Sequence, residues 1–232
     1  MRNPRRLMLT KKMLQDYDLS TTPPPPNSLF WKMWETCTDI AQEALRTDFI
    51  QGISKGILDP VKYGAFYVSD GYYCFNGAES YLAAECRAKD ETLKMFLLQK
   101  YQGYIDYDKD LTKIWHLRDA RGIVPIDVCK EYSNYEATIT SHEDPIYSIP
   151  LMLPCEFIWY WLAKQLYPPS SSNLYAAWIT MNSESPDSAY AMGNFLDKYQ
   201  ADHRGEIDES NAIQIYKQAM TYEYRNFAAA TF

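Results

Sequence analysis

Apolar side chains recur at intervals of three and four along most of the chain, and no stretch of useful length alternates strictly between apolar and polar. That periodicity predicts helices throughout. Ser28 is placed to cap a helix starting at Leu29, where Phe30, Met33, Trp34, Cys37, Ile40, Ala41 and Ala44 form one stripe. A turn is expected from Gly52 to Gly56, and Asp59-Pro60 reads as an N-cap followed by a first-turn proline. The next helix carries Tyr63, Phe66, Tyr67, Asp70, Tyr73, Cys74, Gly77 and Tyr81 on one face. Helix continues from Lys89 to Tyr107, and a charge-rich connection follows from Asp106 to Arg121. Val128, Cys129, Tyr132, Tyr135 and Ile139 mark the next stripe, which ends before Asp144-Pro145.

The most apolar stretch follows, Ser148 to Leu162, with Leu151, Met152, Cys155, Ile158, Trp159 and Leu162 on one face. Pro154 lacks an N–H and crowds the carbonyl four residues back, so a kink is expected beside Cys155. A loop spans Pro168 to Asn173, and Asn173 is placed to cap a short helix through Tyr175, Trp178 and Ile179. Ser185-Pro186-Asp187 begins a further helix, and the last runs from about Asp208 to the end. The pattern predicts an all-α bundle of about eight helices. The four prolines Pro23 to Pro26 divide a basic, proline-rich arm (residues 1–27) from a single helical domain (28–232).

Three positions break the apolar logic. Asp70 sits inside an aromatic stripe, and Glu223 falls on the inward stripe of the last helix with Tyr216, Met220 and Phe227. A buried carboxylate costs several kcal/mol unless it is paired or hydrogen-bonded. Cys155 is the third, and its meaning stays open, because a buried cysteine is commonly a small hydrophobe. A thiol with a reference pKa of about 8.5 is only a few per cent thiolate at neutral pH, so a nucleophilic Cys155 needs a proton acceptor nearby. Two carboxylates raised in pKa by an apolar site would supply one.

Composition narrows the classes. The 232 residues carry a formal net charge of -7, and no basic aromatic-rich run offsets it, which argues against nucleic acid as a partner. The five cysteines (Cys37, Cys74, Cys86, Cys129 and Cys155) are scattered and form no Cys-x-x-Cys pair, as expected of reduced thiols in the cytoplasm. The basic start (Arg2, Arg5, Arg6, Lys11, Lys12) has the charge of a transit peptide or of an ordinary surface arm. No uninterrupted apolar run of about 18 residues is present, so no membrane span is expected. The three histidines share no helical face, so neither a metal nor another cofactor is called for.

Several short motifs resemble those of the TenA proteins, the thiaminase II family with a haem-oxygenase-like fold. Phe66 to Tyr73 is similar to that family's aromatic-x-x-Gln-Asp-x-x-Tyr motif, and Leu153-Pro154-Cys155 to its Leu-Pro-Cys motif. Tyr132-Ser133-Asn134-Tyr135 resembles the tyrosine segment before it, and Tyr175-Ala176-Ala177-Trp178-Ile179 the Tyr-x-x-Trp-Ile block. Glu223 stands where the family carries a catalytic glutamate near its C-terminus. The motifs run in order from about Phe30 to Phe227.

The resemblance implies a hydrolase in which Cys155 attacks the pyrimidine ring of thiamin or of an aminopyrimidine derived from it. Glu223 would act as general acid and base, and Asp70 would hold the ring nitrogens. Phe66, Tyr73, Tyr132, Trp159 and Asn182 would form the pocket. It also implies a homo-oligomer, dimer or tetramer, whose only other partner is the small pyrimidine substrate. Ser69 stands in place of the usual glutamine, Trp159 and Asn182 in place of pocket tyrosines, and Asn226 in place of an aromatic residue. These changes leave the proposed chemistry in place and alter the walls that select the ligand, so a non-catalytic small-molecule binding protein with a remodelled pocket is the alternative. An oxidase on the same scaffold is disfavoured by the shortage of histidine.

Overall fold

The computed structural model describes residues 20–230, and the basic cluster from Arg2 to Lys12 lies outside them. The described residues form ten α-helices and no strand: α1 (Leu29–Glu35), α2 (Thr38–Arg46), α3 (Asp48–Lys55), α4 (Pro60–Arg87), α5 (Glu91–Trp115), α6 (Asp127–His142), α7 (Ser148–Leu166), α8 (Ala176–Asn182), α9 (Asp187–Asp202) and α10 (Glu209–Ala229). The all-α bundle expected from periodicity is what the chain forms.

The boundaries follow local chemistry. Asp59, Asp90 and Asp208 cap α4, α5 and α10 by accepting bonds from Val61, Leu93 and Ser210 backbone N–H groups. The α1 stripe does not continue unbroken to Ala44. The Cys37 N–H turns back to the Trp34 carbonyl at 2.9 Å, and the Thr36 hydroxyl donates to the Met33 carbonyl at 2.7 Å. Those tighter bonds end α1 at Glu35, and α2 begins at Thr38.

The turn expected from Gly52 to Gly56 shrinks to its last residue. Gly52 lies inside α3, and Gly56 ends that helix at φ 70°, in the left-handed region. The charge-rich segment after Asp106 remains helical to Trp115, because α5 continues to bury Asp108 and Leu111. Helix α7 runs through Pro154 without interruption. Ser28 occupies the N-cap position of α1 but makes no capping bond. The arm reaches the domain at its end: Trp31 donates to the Pro24 carbonyl at 2.9 Å, and Asn194 donates to the Ser20 and Thr22 carbonyls.

Helix α7 is the centre of the bundle. Ile149, Leu151, Met152, Leu153, Phe157, Ile158 and Leu162 are all buried on it, each worth roughly 1.5–3 kcal/mol of apolar burial. It packs against α10 on one side and also touches α6, α8 and α9. The segment Pro145–Leu166 is long and apolar enough to cross a membrane, yet 72% of its most apolar window is buried inside the protein. Helix α4 pairs with α5 and α6. At Gly77 the approach is close, since a Cβ there would stand 2.7 Å from the Tyr104 ring and 3.2 Å from the end of Met152. That lets Tyr104 lie across α4 beside Cys155, which sits in the same electrostatic neighbourhood.

Candidate active site

A cavity of about 750 Å³ opens between five helices. Helix α4 lends it Tyr67, Asp70 and Cys74; α5 lends Phe96, Gln99, Lys100, Gly103, Tyr104 and Tyr107. Cys155, Glu156 and Trp159 come from α7, Asn182 from α8, and Asp187, Ser188 and Ala191 from α9. The α5 residues recur at intervals of three and four, so one face of that helix forms a continuous floor.

Four of the eight residues singled out in the sequence line this cavity: Asp70, Cys155, Trp159 and Asn182. The other four stand behind the wall. Phe66 packs in the core against Phe49, Phe227 and Trp159, with ring centroids 4.4, 5.7 and 5.9 Å away. Tyr73 and Tyr132 are fully buried and lie face to tilted face at 4.8 Å. Glu223 is 3% exposed and sits behind the thiol, approached by the side chains of Tyr132, Cys155 and Trp159. Asn182 faces the cavity, but its amide donates to the Trp178 carbonyl of its own helix at 2.8 Å. The replaced position Ser69 is used structurally: its hydroxyl accepts the Ile126 N–H and its carbonyl accepts the Cys129 thiol. Asn226 is buried, with its carbonyl oxygen unpartnered.

The electrostatics are dominated by desolvation. Burial pushes the Asp70 carboxyl from the usual 3.8 to about 7. It pushes Glu223 from 4.5 to about 8, assisted by the Asp70 charge and partly opposed by Tyr132, Cys155 and Trp159. Cys155 is held well above the ordinary thiol value, first by burial and then by the charges of Glu223, Asp70 and Glu156, while the Tyr73 hydroxyl pulls it partly back. The thiol retains some accessible surface, and that surface is cavity wall. Cys74 points its thiol at Asp70, 4.0 Å from Oδ2.

Two features escaped sequence reasoning. Glu136 on α6 is completely buried, and neither carboxylate oxygen has a hydrogen-bond partner of normal geometry. Burial drives the Glu136 carboxyl well above its ordinary value, and the neighbouring Tyr73 hydroxyl pulls it partly back. The signal was available, because Glu136 falls four residues after Tyr132 on the buried face of Cys129, Tyr132 and Thr140. Tyr135 and Ile139, expected inward, are only half-buried. The second feature is an ion pair in the cavity wall: Lys100 Nζ donates to Glu156 Oε1 and to Ser188 Oγ, each at 2.6 Å. It joins α5, α7 and α9, a long-range meeting that no spacing within one helix reveals.

The resulting site holds a thiol with two carboxyls able to give and take protons near neutral pH, beside an aromatic wall. That is the equipment for nucleophilic attack with proton transfer in a dry site. Among the described residues, no group of three or more His, Cys, Asp or Glu side chains is arranged to hold a metal ion.

No protein-family model and no curated protein matches this sequence. Solved structures do. A TenA family transcription regulator from Silicibacter is similar with a TM-score of 0.75 at 14% identity, covering 89% of this chain and 98% of that one. A TenA homologue from P. horikoshii reaches 0.74 at 14% identity, covering 88% and 98%. A protein of Sulfolobus solfataricus, provisionally described as a TenA-like thiaminase, reaches 0.66 at 15% identity, covering 86% and 93%. The resemblance drawn from the motifs therefore holds for the fold across most of the chain, and at such identities it reaches no further than the fold.

Proposed function

We propose that this protein is a thiaminase-II-like hydrolase that cleaves thiamin or a thiamin-derived aminopyrimidine. One observation carries the proposal: Asp70 and Cys155 line the same cavity, and Glu223 is packed directly behind the thiol. Asp70 holds the ring nitrogens, and the Cys155 thiol passes its proton to Glu223 as sulfur bonds to an electron-poor ring carbon. Asp70 in its protonated form gives its proton to a ring nitrogen as aromaticity is lost, and takes it back when the carbon–sulfur bond breaks. The electron pair then returns and expels the leaving amine or thiazole from the ring's methylene substituent, and Glu223 protonates the leaving group where it is an amine. Water adds to the methylene, the carbon–sulfur bond breaks, and the thiol regains its proton. The net change is exchange of the leaving group for hydroxyl.

The fold likeness and the provisionally described thiaminase among the similar structures support this class. The test is hydrolysis of thiamin and of aminopyrimidine analogues by purified protein, with Cys155→Ala as control. Turnover by the wild type and its loss in the variant is the expected result. Absence of turnover with every analogue, or wild-type rates in the variant, overturns the proposal.

A catalytically idle binding protein is the second reading, and the enclosure of the thiol favours it: burial, and then the charges of Glu223, Asp70 and Glu156, hold Cys155 above the ordinary thiol value. Thiol chemistry separates the two. A nucleophilic Cys155, once its proton is removed, alkylates faster than the other four thiols and is protected by a pyrimidine, whereas an inert thiol does neither.

A further inference from the structure

The cavity is longer than a single pyrimidine ring requires. Its volume of about 750 Å³ is in the range that encloses a drug-sized ligand. Along the α5 floor, Tyr107 lies in the electrostatic field of Asp70, while Gln99 and Lys100 lie about two turns nearer the N-terminus of that helix. Seven residues separate Lys100 from Tyr107, and at 1.5 Å per residue the two ends are about 10 Å apart along the helix axis. Gly103 sits between them, and a Cβ built there meets nothing within 4 Å, so the floor is open at its middle.

The far end has a definite polarity. Lys100 spends two of its three N–H donors on Glu156 and Ser188, and its side chain and that of Glu156 are only 12% and 17% exposed. Gln99 Oε1 is buried without a partner. Asp187 adds a further carboxylate at the edge and already holds the Ser185 hydroxyl. Lys100 and Glu156 neutralise each other, so Asp187 leaves this end with a net negative charge, and Gln99 Oε1 is its buried acceptor without a donor.

We propose that this end, built from Gln99, Lys100, Glu156, Ser188 and Asp187, is a second subsite that receives the leaving group. The inference rests on the pyrimidine reading of the Asp70 end. It assigns the substrate class: an aminomethylpyrimidine whose leaving amine continues into a cationic, N–H-bearing tail. The tail passes over Gly103, donates to Gln99 Oε1 and lies against Glu156 and Asp187. An anionic tail meets the same two carboxylates and is disfavoured.

The experiment measures binding by calorimetry to full-length Cys155→Ala protein, so that turnover plays no part. The probes are aminomethylpyrimidine and its N-ethyl, N-aminoethyl and N-carboxymethyl derivatives. The ammonium derivative is expected to bind about tenfold tighter than the N-ethyl one, and the carboxylate derivative weaker than either. Adding Glu156→Gln leaves Lys100 balanced only by Asp187 and is expected to erase most of the preference for the ammonium tail. Adding Gly103→Leu is expected to weaken all three derivatives by more than it weakens the parent. Equal affinity for ammonium and carboxylate tails alongside a bound parent overturns this inference alone. No binding of the parent or of any derivative overturns the pyrimidine reading, and this inference with it.

Discussion

Asp70 on α4 and Glu223 on α10 meet electrostatically at the Cys155 thiol, and charge on Asp70 makes Glu223 harder to ionise. Both carboxyls are raised in the folded chain, to about 7 and about 8. Between the usual carboxylate range and those values, the folded state binds protons that the unfolded state has released. Stability is therefore fully present at acidic pH below about 4 as far as these groups are concerned, and declines as pH rises towards 8, by up to about 1.4 kcal/mol per pH unit for each group. Asp108, raised to about 7 by burial, adds to the same slope. Urea unfolding at pH 5 and at pH 8.5 checks the sign, and the difference is expected to shrink in Asp70→Asn/Glu223→Gln. A wild type more stable at pH 8.5 than at pH 5 contradicts these protonation states.

The same charges govern the thiol. Glu223, Asp70 and Glu156 all disfavour the Cys155 thiolate. Cys155 is expected to alkylate more slowly than the exposed Cys86 at neutral pH, with its own rate rising as the pH becomes alkaline. Neutralising one carboxylate as Glu223→Gln is expected to move the Cys155 midpoint down. Iodoacetamide labelling across a pH series, read peptide by peptide in a mass spectrometer, follows both thiols in one sample. A midpoint that stays fixed in the variant removes Glu223 from the neighbourhood of the sulfur.

Helix periodicity made the bundle legible, because each helix buries one face and the faces repeat in the sequence. The inward carboxylates Asp70 and Glu223 were legible for the same reason, as charged residues on apolar stripes. Glu136 obeyed that rule too, but attention to the aromatic spacing of Tyr132 and Tyr135 set the face one position away from it. The break at Thr36-Cys37 was hidden because Met33, Trp34, Cys37 and Ala41 are buried on both sides of it, so the stripe continues across the break. Lys100 and Glu156 were out of reach for a different reason. Each looks like an ordinary charge on its own helix, and their 2.6 Å contact depends on how α5 and α7 pack. Motif resemblance indicated which residues approach the thiol, but not which of them reach the cavity surface.

Glu136 offers a test of the buried layer behind the site. Its carboxyl is wholly enclosed, and burial pushes it well above its usual pKa, which favours the neutral form. Glu136→Gln exchanges one neutral polar group for another of similar shape, and stability at pH 7 is expected to stay within about 1 kcal/mol of wild type. The variant is also expected to lose stability less steeply at alkaline pH, since it has no proton to release there. Thermal unfolding at pH 7 and pH 9 reads both. A loss of several kcal/mol at pH 7 means that Glu136 is ionised and paired.

Trp159 has two separable roles, and one pair of substitutions divides them. Its ring packs among Phe66, Trp178 and Phe227 at centroid distances of 5.9, 5.8 and 5.5 Å, closing the wall beside Cys155. Its indole N–H also favours the ionised form of Glu223. Trp159→Phe removes both volume and donor, whereas Trp159→Tyr removes volume and keeps a polar hydrogen at the ring tip. Both are expected to cost about 1–2 kcal/mol in stability through the lost packing. Only Trp159→Phe is expected to push the Glu223 pKa further up, because only that variant lacks a donor to stabilise the carboxylate. In the stability profile this extends the decline with rising pH above 8, and in the alkylation profile it leaves Glu223 neutral, and the thiol less opposed, over a wider range. If the two variants give the same pH profiles, the indole N–H is not what Glu223 senses, and Trp159 acts on the thiol by shape alone.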